Sequence, residues 1–263
     1  TTKVQKRKSI ATAIYENGLT VLEENDIYRR RIMDITLHYQ EKGKGMPLIL
    51  LHGNGEDGTY FVHQIAYFSK QYRVIAVDTR GHGKTPRGTA SFTIEQFADD
   101  LYNFMEMMKI PEAVILGFSD GANIAMEFVM KYPERVKALI LNGGNLNPKG
   151  VKRGTQIPIE IGYQITKRFA SKLPDAKKNM ELLGLMVNEP NMKQEELAQI
   201  TVPTLVICGT KDMIKESHTK KIAESIPNSK LKIIKGNHFI ANKCPDEFNQ
   251  AVDEFLNNID WVS

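Results

Sequence analysis

The chain has 263 residues, 41% of them apolar and 25% charged, a balance that fits a soluble globular fold with a sizeable core and excludes a disordered or fibrous chain. Its 35 basic and 31 acidic residues leave a net charge of +4, and the one cationic cluster, Lys3, Lys6, Arg7 and Lys8, lacks the aromatic or groove-reading residues expected of a nucleic-acid partner. No apolar run reaches the roughly 18 residues of a membrane span, no charged-then-apolar leader opens the sequence, and two cysteines make neither a disulfide framework nor a metal set, so a cytoplasmic protein without membrane, nucleic acid or metal is expected.

The expected elements alternate. Residues 31–33 and 35–39 read as two early strands of a hairpin. The run 47–51 is continuously apolar, a buried strand ending in His52-Gly53. A helix over 61–68, a second buried strand over 73–78 and a Gly-rich loop over 79–88 follow. Thr93 and Gln96 have the spacing of a capping box opening a helix to about Lys109. A short strand over 113–116 then meets Gly117-Phe118-Ser119-Asp120-Gly121 and a helical pattern over 122–132, and 136–141 reads as the next strand. Residues 145–200 lack a strong strand and carry helical stretches near 159–173 and 175–186. Strands over 204–208 and 231–234 and helices over 217–226 and 246–259 close the chain. This rhythm predicts a doubly wound, mostly parallel α/β sheet flanked by helices, with residues 1–144 and 201–263 as its core and 145–200 as a small helical insertion.

The stretch from Gly117 to Gly121 is G-x-S-x-G between a strand and a helix, the setting of a nucleophile elbow. A turn this sharp strains the serine backbone, and a side chain two residues to either side would strike the neighbouring strand or helix. Ser119 is therefore the candidate nucleophile, which needs a base and a group to orient that base. Of six histidines, His38 lies in an early strand, His52 ends one, His63 and His218 fall in helical patterns, and His82 belongs to the Gly-rich loop. His238 alone follows the last strand, and a parallel sheet gathers its functional loops at the carboxyl ends of its strands. Asp212 is the carboxylate in the loop after 204–208, whereas Asn142-Gly143-Gly144-Asn145 after the preceding strand offers none. The backbone N–H groups of Asp120, after the nucleophile, and Asn54, in the loop after 47–51, are the candidate oxyanion donors. Asp78 and Arg80 are expected to hold loops together, and Cys208 to be a core thiol.

Strand-His52-Gly53-Asn54-Gly55, the loop from Asp78 to Thr85, the serine pentapeptide, Asp212 and Gly236-Asn237-His238 together resemble the α/β-hydrolase superfamily over roughly residues 30–258. The Ser119-Asp120 pair is also similar, over a short stretch, to valacyclovir-hydrolase-like esterases. The resemblance implies a cofactor-free enzyme with a cap at 145–200 over its pocket. Many family members carry a proline shortly after the acid, where this chain has Met213-Ile214-Lys215-Glu216. A serine rather than an aspartate at the elbow argues against epoxide hydrolase or haloalkane dehalogenase chemistry. The expected activity is hydrolysis of small-molecule carboxylic esters, with carbon–carbon bond hydrolysis, perhydrolysis, or ligand reception by a retained triad as alternatives. Asp120 has two readings, a carboxylate that selects substrates bearing an ammonium or one that stabilises its own helix N-terminus.

Overall fold

The computed structural model describes residues 34–259, apart from the side chain of Pro174. The chain divides into a unit of residues 1–36, of which 34–36 are described, and a compact unit from Leu37 onward that holds every element below. Its seven strands are β1 (Tyr39–Lys42), β2 (Pro47–Leu51), β3 (Arg73–Val77), β4 (Ala113–Phe118), β5 (Val136–Asn142), β6 (Thr204–Lys211) and β7 (Ser229–Asn237). Its helices are α1 (Val62–Phe68), α2 (Ile94–Met107), α3 (Asp120–Lys131), α4 (Arg153–Phe169), α5 (Pro174–Asn188), α6 (Glu216–Ser225), α7 (Ile240–Lys243) and α8 (Pro245–Asn257).

The strands form one sheet in the order β1-β3-β2-β4-β5-β6-β7, parallel throughout except for β1. Helices cover both faces of the central strands, and their sequences follow. All six residues of β4 (Ala-Val-Ile-Leu-Gly-Phe) are buried, without the polar alternation of a half-exposed strand. The edges differ: β1 is mostly exposed, and β7 carries Lys230, Lys232 and Lys235, charges that discourage pairing with another chain.

The chain leaves β2 toward β3 on one side and returns to β4 on the other, so β2 and β4 are neighbours whose outgoing loops diverge. That reversal opens a crevice at the carboxyl ends of the strands, where doubly wound sheets bind ligands. The loop after β2, the elbow after β4 and the loops after β5, β6 and β7 share this rim.

The mostly parallel fold agrees with the expectation from sequence, and two local details differ. Residues 31–33 lie outside those described. The expected strand at 35–39 is instead β1 at Tyr39–Lys42, which pairs antiparallel with β3, Tyr39 opposite Val77. The capping box is half formed: the Thr93 side chain accepts from the Gln96 N–H at 3.2 Å, but the Gln96 side chain donates to Asp100 Oδ1 at 3.1 Å. The missing half would need Gln96 Oε1 to accept from the Thr93 N–H, whereas the side chain points forward to donate to a carboxylate one helical turn ahead. Between β5 and β6 the chain forms α4, α5 and two short 3-10 turns, Pro148–Gly150 and Gln194–Gln199.

Candidate active site

Ser119 sits between β4 and α3 with φ 54° and ψ −118°, backbone that a non-glycine residue adopts only under strain. The two flanking glycines are required sterically. A Cβ on Gly117 would overlap the backbone of Gly121 at the start of α3, and one on Gly121 would overlap the Leu51 carbonyl of β2. The turn is held on both sides: the Ser119 N–H donates to the Asn142 carbonyl at 2.8 Å, and the Ser119 carbonyl accepts from Ala122 and Asn123 at 2.9 and 3.1 Å.

Ser119, Asp212 and His238 converge although their positions in the chain are far apart. His238 Nε2 lies 3.0 Å from Ser119 Oγ, and its Nδ1 lies 2.7 Å from Asp212 Oδ1. The carboxylate accepts the Nδ1 proton, so Nε2 is left as an acceptor facing the hydroxyl. Asp212 is buried, which by itself works against its charge, but the hydrogen bond and the charge of His238, with the Ile214 and Gly209 backbone, hold its carboxyl below the usual range. The Ile214 N–H donates to Asp212 Oδ1 at 2.9 Å, so this loop keeps its acid in place without a proline after it. The Phe118 ring packs 4.9 Å from the imidazole and stacks on Tyr60 at 4.4 Å, forming an apolar wall under the serine. This arrangement can move a proton from the hydroxyl to the imidazole and hold the resulting imidazolium against a carboxylate.

Asn54 and Asp120 meet across the mouth of the crevice. Asn54 Nδ2 donates to Asp120 Oδ2 at 3.0 Å and to the Leu182 carbonyl of α5 at 2.8 Å. Asn123 Nδ2 donates to the other oxygen, Asp120 Oδ1, at 3.2 Å. Among the described residues the backbone N–H groups of Asn54 and Asp120 enter no hydrogen bond, so neither is committed to another acceptor. Burial pushes the Asp120 carboxyl up, against the two amide donors and His238, which pull it down. With an amide on each oxygen, Asp120 braces the loop after β2 and, through Asn54, the helix α5.

The remaining histidines are tied into the scaffold or lie away from the serine. His52 Nδ1 donates to the Gly53 carbonyl at 2.7 Å, and Nε2 accepts from the Thr79 N–H at 3.0 Å. Burial lowers its pKa and keeps it neutral, so it fastens the loop after β2 to the loop after β3. His82 is driven down to about 4, chiefly by burial, and lies 5.1 Å from the His52 ring. His218 accepts from the Leu146 N–H at 3.0 Å, and His63 is exposed on α1. Asp78 and Arg80 join loops as expected. Asp78 accepts from the Gly58 and Lys84 N–H groups at 2.8 and 2.9 Å, and Arg80 forms a buried ion pair with Asp100 at 2.6 Å. Cys208 is buried, and burial raises its thiol to about 11.

Sequence reasoning missed four participants. Gly143 has φ +65°, and a Cβ there would lie 2.7 Å from His238 Cε1, so this glycine makes room for the ring. Asn123 and Asn145 form a buried pair, with Asn123 Nδ2 donating to Asn145 Oδ1 at 3.1 Å and the Asn145 N–H donating to Asn123 Oδ1 at 2.8 Å. That pair ties the start of the 145–200 segment to α3. Glu56, beside the candidate oxyanion donor, is pushed up to about 7, first by burial, with Gly53 and His238 opposing and Asp57 assisting. Only the run of small polar residues after β5 carried any local signal for these, and it does not say what approaches it.

A serine in an elbow, an imidazole after the last strand and a carboxylate one strand earlier, all on one rim of a mostly parallel sheet, define the α/β-hydrolase class of fold. Comparison with known proteins agrees. Residues 46–158 match the family model described as the alpha/beta hydrolase fold. The chain is 27% identical to serine hydrolase BPHL of Homo sapiens, over 84% of this chain and 83% of that protein. It is 26% identical to a meta-cleavage product hydrolase from Pseudomonas fluorescens IP01, with a TM-score of 0.69 over 85% of this chain and 94% of that one. A thermophilic esterase from Thermogutta terrifontis shares the fold, at 24% identity and a TM-score of 0.72 over 85% and 93% of the two chains. The chain has the α/β-hydrolase fold.

Proposed function

We propose that this protein is a cofactor-independent serine hydrolase of small-molecule carboxylic esters, working through an acyl-enzyme on Ser119. The observation that carries the reading is the pair of distances at His238, 3.0 Å to Ser119 Oγ and 2.7 Å to Asp212 Oδ1. His238 Nε2 takes the Ser119 proton as Oγ attacks the ester carbonyl. Negative charge develops on the carbonyl oxygen, where the uncommitted N–H groups of Asn54 and Asp120 stabilise it; losing one such donor costs about 3 kcal/mol. The imidazolium then protonates the departing alcohol. A water that loses its proton to Nε2 attacks the acyl-enzyme, and the proton returns to Oγ as the carboxylic acid leaves. Asp212 holds the tautomer and stabilises the imidazolium throughout. Electrons and protons balance within the ester, water and these side chains.

Residues 145–200 serve as the cap in this reading. Three bonds support that role: Asn54 to the Leu182 carbonyl at 2.8 Å, Arg87 to Glu181 at 2.9 Å, and the Ile94 N–H to Glu189 Oε2 at 2.6 Å. Asp120 is buried and each of its oxygens already accepts an amide N–H, from Asn54 and Asn123, which supports a brace over a receptor for a substrate ammonium. The likeness to a meta-cleavage product hydrolase favours carbon–carbon bond hydrolysis as the second reading, with the same serine and histidine acting on a carbonyl beside the scissile bond.

Labelling with a fluorophosphonate and turnover of p-nitrophenyl esters test the proposal. Both are expected in the unaltered protein, and both are lost in Ser119→Ala and His238→Ala variants that keep their folded circular dichroism. Labelling without ester turnover excludes the esterase and, if a vinylogous diketone is cleaved, selects the second reading. Equal rates on neutral and α-amino esters are expected from the engaged Asp120.

A further inference from the structure

Helix α4 has one face turned inward and one without a partner element among the described residues. Inside, Gln156 is buried and donates to the Met186 carbonyl of α5 at 3.2 Å, and Leu183 of α5 packs beside Gly162. Outside, Ile157, Ile161, Ile165 and Phe169 recur every four residues and are 42%, 56%, 54% and 43% exposed, with Leu173 at 55% continuing the row. Nine large apolar side chains are exposed among the described residues; four of them lie on this one stripe of α4, and Leu173 follows just beyond its end. Apolar residues in such a row are neighbours on a helix surface and mark an interaction face rather than scattered exposure.

The charges around the stripe say what covers it. Between residues 153 and 178 there are six basic residues and two acidic ones, Glu160 and Asp175. The full chain has 35 basic and 31 acidic residues, so 29 of each sign lie elsewhere, and the net charge of +4 equals the excess in this segment. Arg153, Lys167, Arg168 and Lys172 are all exposed. Arg168 lies three residues from Ile165 and seven from Ile161, so it stands within the stripe rather than across the helix from it. A two-fold contact between copies would set this patch against itself, cation against cation. A surface with negative charge and an apolar interior matches both features.

We propose that the outer face of α4, centred on Ile161 and Ile165, docks on an anionic lipid surface. The apolar row enters the boundary between headgroups and acyl chains while the cations contact headgroup phosphates. No described helix is long and apolar enough to cross a membrane, and this contact requires none. The proposal is independent of the reaction assigned to Ser119.

The test is flotation of the full chain with vesicles of phosphatidylcholine alone and with about 30% phosphatidylglycerol added, at low and high salt. Binding to the anionic vesicles is expected, weakened at least about tenfold by high salt and to a similar extent by Arg168→Glu with Lys172→Glu. Ile161→Ser with Ile165→Ser should abolish it while ester turnover in solution is unchanged; both positions are exposed, so folding is spared. Absence of binding to any vesicle overturns the proposal, as does equal binding by the serine double variant. Sedimentation of the unaltered chain as a dimer that the serine variant dissociates also overturns it, because a second copy would then cover the face.

Discussion

Gly143→Ala is the substitution that most directly tests whether the imidazole must stand where it does. The glycine lies after β5, and its missing side chain leaves the space beside His238. An added Cβ would sit 2.7 Å from Cε1 and 2.9 Å from Nδ1 of the ring, where ordinary contact begins at 3.4 Å. The ring must therefore retreat by about 0.7 Å, and Asp212 on Nδ1 limits how it can turn. The 3.0 Å separation from Ser119 Oγ would open toward about 3.7 Å, beyond hydrogen-bonding reach. A displacement near 1 Å at a reacting pair costs on the order of 100-fold, or about 2.7 kcal/mol. The positive φ adds about 1 kcal/mol of instability, since alanine resists the left-handed region. The expected result in p-nitrophenyl ester kinetics is kcat down about 100-fold with KM nearly unchanged, and a small fall in the urea midpoint. A folded variant with kcat within about twofold of the parent would refute the argument that this glycine clears the ring.

Asp212→Asn should lower kcat by about 10⁴ by disturbing the tautomer of His238. Its stability effect carries a sign: the folded carboxyl is held below its usual value, so its contribution is present above the ordinary carboxylate pKa and is lost as the pH falls through the folded one. The gap in urea midpoint between parent and variant should therefore close on acidification below about pH 4. Glu56→Gln should act in the opposite sense. With the folded carboxyl raised to about 7, its ionisation opposes folding as the pH rises above the unfolded value, so the variant gains on the order of 1 kcal/mol at pH 8 and nothing at pH 4, read from urea curves. Asp100→Ala removes the carboxylate that accepts from Arg80 Nε and Nη2 in a buried ion pair and should cost about 3 kcal/mol by thermal or urea denaturation.

What could be read along the chain was whatever local sterics and burial dictate. A strand buried on both faces must be a continuous apolar run, so β2 through β6 were marked at nearly their observed limits. An elbow that overlaps Gly121 and Leu51 backbone unless two positions lack side chains must be written G-x-S-x-G. Because parallel strands deliver their outgoing loops to one rim, Asp212 and His238 followed from their places after β6 and β7. Tertiary structure alone decided the rest, because the partners are distant in sequence and no periodicity connects them. β1 is defined by its pairing with β3, some 35 residues away, where Tyr39 stands opposite Val77, and the hairpin expected at 35–39 had only local propensity behind it. The closeness of Gly143 to His238, the reach of Asn54 to Leu182 across 128 residues, and the desolvation that raises Glu56 all depend on which surfaces the folded sheet brings together. The cation-flanked stripe on α4 was present in the sequence, but only packing revealed that its apolar face points outward rather than into the core.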